Sequence, residues 1–119
     1  MICACTPSRK PLILDSWVKP GTHINAIGAD APGKQELEIR LLERSRVVVD
    51  DWVQASHSGE INVAHSRGRF DRRDIRGDLG TLLFKKIKVR TKSSDITIFD
   101  STGLAVQDMI MADYAVQNR

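Results

Sequence analysis

Cysteine is scarce in this chain of 119 residues, and the two that it has stand close together as Cys3 and Cys5. Two apart in a predicted strand, they point to one face, which is poor geometry for a disulfide between neighbours. They are expected to be reduced thiols in the core. No second cluster of Cys or His completes a tetrahedral zinc site, and His57 and His65, eight apart across a glycine break, form no ligand pair with Glu60, so no metal is expected. The chain also lacks a basic leader followed by an apolar segment, and no apolar run approaches the roughly 18 residues that cross a bilayer. A cytoplasmic protein without membrane contact is the expectation. Its eight glycines never fall at the spacing of a GxGxxG fingerprint, a P-loop or a GxSxG elbow. There is no internal repeat.

What is present fits one soluble α/β domain. Apolar residues make up 41% and charged residues 28%, enough for a real core and too apolar for disorder. The formal net charge is +3, and the densest basic run, Lys85 to Lys92, contains no aromatic side chain to stack on bases. Nucleic acid is therefore not an expected partner.

Along the chain, Met1 to Thr6 reads as a short apolar strand with no preceding turn or cap, as if the chain began inside a sheet. Pro7 then fixes a turn that the Thr6 hydroxyl can satisfy. Pro11 to Gly21 suggests a connector with one helical turn. Pro32 to Arg46 predicts a helix, with Leu37, Leu41 and Leu42 on a shared face, and Arg46 to Asp51 a strand of the kind buried on both sides of a parallel sheet. A short helix over Trp52 to Ser58 ends at Gly59. Asp71 to Lys86 carries Ile75, Leu79, Leu82 and Leu83 at helical spacing, so a further amphipathic helix is expected there. The last strand is Ile96 to Asp100. It turns through Ser101, Thr102 and Gly103 into a final helix, Leu104 to Gln117, whose apolar residues lie nearly all round it, and such a helix expects a cover.

One stretch organises the rest: Thr22 to Leu37, THINAIGADAPGKQEL, a half-buried strand that delivers Asp30 at its end. On the residues alone, Asp30 reads foremost as a turn or cap residue and His23 as a structural hydrogen-bonder, while Ser101 or Thr102 serves equally as an N-cap. Glu60, beside a glycine break, reads foremost as a cap or an ion-pair partner.

The run HINAIGADAPGKQEL, followed by HSGEIN and by ITIFDSTGLAVQD, closely resembles the ornithine cyclodeaminase and mu-crystallin family, and most closely its alanine dehydrogenase branch. The resemblance covers essentially the whole chain and is weakest from Arg67 to Lys92. There the family's Leu-Gly-Glu is replaced by Leu79-Gly80-Thr81, and its Gly-Lys-x-Pro-Gly-Arg turn by Lys85-Lys86-Ile87-Lys88-Val89-Arg90. Without the turn glycines and proline, this segment could prolong a strand or lie loosely on the surface.

The resemblance implies an α/β fold: the second half of a Rossmann-type NAD(P)-binding domain, residues 1–103, plus a helix, 104–119, that packs on an amino-terminal domain absent from this chain. It implies hydride transfer between NAD or NADP and the alpha carbon of a small amino-acid or imine substrate, in a homodimer. It assigns Asp30 as the catalytic acid/base, provided that partial burial raises its pKa, with Thr6, Ala26, Ile27 and Ser101 at the cofactor and Thr102 and Gly103 at the substrate. The phosphate-binding loop and the substrate-gripping cations are expected upstream, which would leave the isolated chain inactive. The alternative is a non-catalytic, crystallin-like module, favoured by the altered segment Lys85 to Arg90.

Overall fold

The computed structural model describes residues 1–119 and contains one parallel sheet. Its strands are β1 (Ile2–Ala4), β2 (His23–Ala26), β3 (Arg46–Val49), β4 (Ile75–Asp78) and β5 (Thr97–Asp100), in the spatial order β1-β2-β5-β3-β4. Parallel neighbours need crossover connections, and the helices α1 (Ile39–Arg44), α2 (Trp52–Ser58), α3 (Asn62–Ser66) and α4 (Leu79–Lys85) lie in those crossovers. The last helix, α5, spans Ala105–Gln117.

Alternation along the strands decides where the core sits. Ile24 pairs with Ile98, and Val47 with Ile98, so these side chains share one face of the sheet. Leu37, Leu41, Leu42 and Ile61 pack on that face and are almost completely buried. Each contributes about 1.5–3 kcal/mol by leaving water. The opposite face carries His23, Val48 and Phe99, and only α4 and the segment after it lie over it. They border an open apolar groove of about 350 Å³.

Several expectations change in the folded chain. Helix α1 is only six residues long, not the run from Pro32 to Arg46. Its expected first half is extended because the backbone there bonds outside itself: Leu12 and Ile13 donate to the Glu36 carbonyl, and the Glu36 and Leu37 amides go to Glu60. The expected helix from Asp71 to Lys86 divides into a 3-10 turn, strand β4 and helix α4. Ile75 mimics a helical position relative to Leu79, but its partner is Val47 across the sheet. Asp78 then caps α4 by accepting from the Thr81 amide at 2.8 Å.

The segment Lys85 to Arg90 forms no strand. Lys86 ends α4 at φ 52°, a left-handed conformation that glycine adopts more readily. Cys3 and Cys5 are exposed rather than core residues, because β1 is an edge strand and Cys3 lies beside Asn25, on the face away from the core. The single turn at Asp15–Trp17 and helix α2 form where expected, with Asp51 capping α2 through the Gln54 amide at 2.9 Å. Helix α5 buries no residue, and Met109, Ile110, Met111 and Tyr114 are each more than 60% exposed. No helix is long and apolar enough to cross a membrane.

Candidate active site at the carboxyl ends of the strands

All strands of a parallel sheet end on the same edge, and the loops after β1, β2, β3 and β5 meet there. Pairing continues past the strand ends, with the Ile27 amide donating to the Ala4 carbonyl at 2.8 Å and the Ser101 amide to the Ala26 carbonyl at 3.0 Å. Thr6, Ala26, Ile27 and Ser101 are thereby brought to one rim. Open parallel sheets bind ligands along this edge.

Glu36 ties the rim together. Its buried carboxylate accepts from the Thr6 amide at 2.6 Å, the Thr6 hydroxyl at 2.7 Å and the Gly28 amide at 3.1 Å. So the Thr6 hydroxyl is held by an acid thirty residues away rather than by its own turn. The loops are in close contact: a Cβ on Gly28 would lie 2.2 Å from the Thr6 carbonyl oxygen and 2.5 Å from Glu36 Oε2. No residue but glycine fits there.

Below Glu36 lies a ladder of acids. The Glu36 and Leu37 amides donate to Glu60 Oε1 at 2.8 and 2.7 Å. The Glu60 and Ile61 amides donate in turn to the two carboxylate oxygens of Asp100, at 2.9 and 3.1 Å. At the far end, Asp50 accepts from the Thr102 amide at 2.6 Å and from its hydroxyl at 3.0 Å. Burial pushes Glu60 up to about 8, aided by the charges of Asp100 and Glu36 and opposed by the two amides that bind it. Burial likewise pushes Asp100 up to about 7, against the pull of the Glu60 and Ile61 amides and with help from Asp50.

Glu60 is thus neither a helix cap nor an ion-pair partner; it fastens the extended segment before α1. Its sequence signal was the glycine beside it, since a Cβ on Gly59 would approach the Asp100 carboxylate to 2.7 Å. That glycine was read only as a helix stop. Nothing in the sequence marks Glu36, Asp50 and Asp100, because their partners are backbone amides and, for the first two, a threonine hydroxyl far along the chain, none of which leaves a local signature.

The other expected residues divide. His23 is a structural hydrogen-bonder, with Thr97 Oγ1 2.7 Å from Nδ1 and Asn25 Oδ1 3.1 Å from Nε2. Neither Ser101 nor Thr102 caps α5, whose first turn begins after Leu104 with no side-chain cap. Thr102 is turned toward Asp50 and Gln54, and Gly103, at φ 77°, is exposed with open space where a Cβ would be. Asp30 stands at the rim, but it is not partly buried. Its side chain is 67% exposed and paired with Lys34, and the hydrogen bond and charge of that lysine hold its pKa below the ordinary value of 3.8.

A parallel sheet with glycine-tight loops converging at its carboxyl edge places the chain among α/β proteins with a nucleotide-binding type of architecture. The family follows from comparison: the ornithine cyclodeaminase/mu-crystallin family profile matches residues 1–119, and the chain belongs to that family. It is 48% identical over 118 residues to the alanine dehydrogenase of Archaeoglobus fulgidus, covering 99% of this chain and 37% of that protein. It is 37% identical over 117 residues to the iminosuccinate reductase of Paracoccus denitrificans, covering 98% and 36%. Among solved structures, an archaeal alanine dehydrogenase dimer with bound NAD superposes with a TM-score of 0.90 at 48% identity, covering 98% of this chain and 37% of the other. The Thermococcus litoralis Delta(1)-pyrroline-2-carboxylate reductase in complex with NADH and L-proline superposes with a TM-score of 0.88 at 30% identity, covering 98% and 36%. The chain therefore spans little more than a third of the length of these relatives.

Proposed function

We propose that this chain supplies the nicotinamide-side rim of an NAD(P)-dependent amino-acid dehydrogenase or cyclodeaminase, with Asp30 as its acid/base. The observation that carries the reading is the convergence of Thr6, the Ile27–Asp30 loop and Ser101 on one edge, with Thr6 and Gly28 clamped by Glu36. These residues fit the end of a dinucleotide rather than its phosphates. The Gly28 backbone lies too close to Thr6 for any side chain, and no glycine-rich phosphate loop is present in the 119 residues. A nicotinamide held at this rim would supply hydride exchange with the substrate's alpha carbon.

The protein's part is positioning and proton handling. Thr6 and Ile27 line the approach along β1 and β2 and Ser101 closes it from β5, while Ala26, buried in the core, supports them from below through its carbonyl, which accepts from the Ser101 amide. Asp30 takes the proton of an attacking water or amine and gives it back to the product. A carboxylate held low by Lys34 is a weak base. The reading therefore requires that a covering domain dehydrate Asp30 and draw it away from Lys34, raising its pKa toward neutrality. With its amide and hydroxyl both on Asp50, Thr102 reaches substrate only through its backbone carbonyl or by leaving Asp50; Gly103 offers unobstructed backbone.

Helix α5, apolar and uncovered, packs in this reading on the amino-terminal domain that the longer relatives possess. The test is a chimaera in which residues 1–119 replace the matching segment of the archaeal alanine dehydrogenase. Asp30→Asn is expected to lower kcat by about 10²- to 10⁴-fold with NAD binding retained. Unchanged turnover in that variant would overturn the role of Asp30. A chimaera that binds NAD without turnover in either form would instead favour a crystallin-like, non-catalytic module.

A further inference from the structure

Between the loop that carries Asp30 and helices α2 and α3 lies a polar cavity of about 500 Å³. Its volume falls within the range of small-molecule sites. Only one of its ten lining residues, Val63, is hydrophobic, and none is acidic. Arg9 and Arg67, 58 residues apart in the sequence, both border it, with His57 also in its wall. Neither arginine is in an ion pair. Arg67 donates no side-chain hydrogen bond within the fold, and Arg9 spends one donor on the Pro32 carbonyl at 3.1 Å. Two guanidinium groups, permanently charged and with most of their donors unspent, thus face one cavity without a counter-charge.

A second observation points to the same place. Gln35 lines the cavity, is 93% buried by virtue of its 7% exposure, and has a buried Oε1 with no hydrogen-bond partner. A buried amide oxygen left unpaired costs about 1–3 kcal/mol. Other polar groups in the wall are already engaged: Ser56 and Ser66 donate to carbonyls of their own helices, and Asn62 bonds Gly33, Lys34 and Gly59. The groups left over are two cations, an imidazole and an amide, which together complement a compact oxyanion that also carries a hydroxyl or another donor.

We propose that this cavity is a binding site for a small polar metabolite bearing a phosphate or carboxylate group, held between Arg9 and Arg67 with Gln35 at its base. Binding would brace the Asp30 loop, since Pro32 and Gly33 form part of the wall. None of Thr6, Ile27, Asp30 and Ser101 lines this cavity, and the proposal does not depend on the dehydrogenase reading.

Inorganic phosphate and L-malate, each of which carries a hydroxyl beside its oxyanion, titrated separately at constant ionic strength into the ¹⁵N-labelled 119-residue chain, test it. The expected result is a saturable shift of the Gly33, His57 and Arg67 amides with at least one anion, and a preference between the two identifies the oxyanion. Arg67→Ala should weaken binding about tenfold or more, with Arg9→Ala adding to the loss. Because the Arg67 side chain makes no hydrogen bond in the fold, its loss leaves folding intact and the comparison stands. Lys85→Ala with Lys88→Ala, remote in the basic run, should leave binding unchanged. Shifts that never saturate, that follow residues 85–92, or that persist at full affinity in Arg67→Ala overturn the site.

Discussion

Asp30, in the loop after β2, and Asp100, at the end of the neighbouring β5, end up as opposite kinds of acid. Asp100 closes β5, is completely buried, and is pushed up to about 7 by dehydration. Asp30 follows β2 by four residues, stands in solvent beside Lys34, and is held below 3.8. The one is fastened by two backbone amides and the other by a single flexible cation. A carboxylate at a strand end is therefore not one chemical object. Whether it titrates near neutrality depends on how much protein lies above it, and in this chain the raised pKa values belong to the supporting ladder rather than to the acid at the rim.

The largest effect should come from breaking the contact on which both acids depend. Gly28→Ala forces a methyl group into the Thr6 backbone and the Glu36 carboxylate, and rigid backbone cannot yield. A loss of about 4 kcal/mol or more is expected in denaturant unfolding; a variant within about 1 kcal/mol of the parent would show that the two loops separate easily.

Titration of the ladder sharpens the comparison next. Unfolded, Glu60 ionises near 4.5, but folded it holds its proton up to about 8. Between those values unfolding releases a proton, so stability falls as pH rises through this window, and Asp100, raised from 3.8 to about 7, acts in the same direction. Asp95 has the opposite sign: amides from Lys92 and Thr91 lower it to about 2, so its contribution is lost in acid. The melting temperature should peak on the mildly acidic side and decline toward pH ~9. Glu60→Gln keeps Oε1 on the Glu36 and Leu37 amides and removes the charge, so the alkaline decline should flatten. An unaltered pH profile in that variant would mean that Glu60 is ionised in the fold.

A smaller change is expected at Asp30. Lys34→Met removes both the hydrogen bond and the positive charge, and the carboxyl ¹³C titration of Asp30 should move up toward 3.8. No movement would mean that the pair is not formed in solution. Smallest of all should be Ile110→Glu in α5, a position 63% exposed in a helix without a buried residue. Stability should change by less than about 0.5 kcal/mol. A larger loss would show α5 folded against something in the isolated chain.

How much of this was legible beforehand differs by element. Valine-rich β3, the helix Trp52–Ser58 and the final helix each announce themselves by local composition, and all three form. The rim was legible as well, through the glycine, threonine and serine steps that deliver Thr6, Asp30 and Ser101. Strand β4 was not, because Ile75 and Leu79 are spaced as helix neighbours and only pairing with Val47 gives Ile75 its partner. The short α1 failed for the same reason, its expected first turns having been taken by hydrogen bonds to Glu60 and to residues 12 and 13.

The sequence alone determined the α/β class and the family, since those follow from short-range patterns and from motifs. Tertiary structure alone decided which acids are dehydrated, which threonine hydroxyl meets which carboxylate, and where two distant arginines come to share one cavity. The physical reason is that proton affinity and hydrogen-bond partnership depend on what surrounds a group in space. In this chain the decisive neighbours, Glu36 to Thr6, Glu60 to Asp100 and Arg9 to Arg67, lie 30 to 58 residues apart.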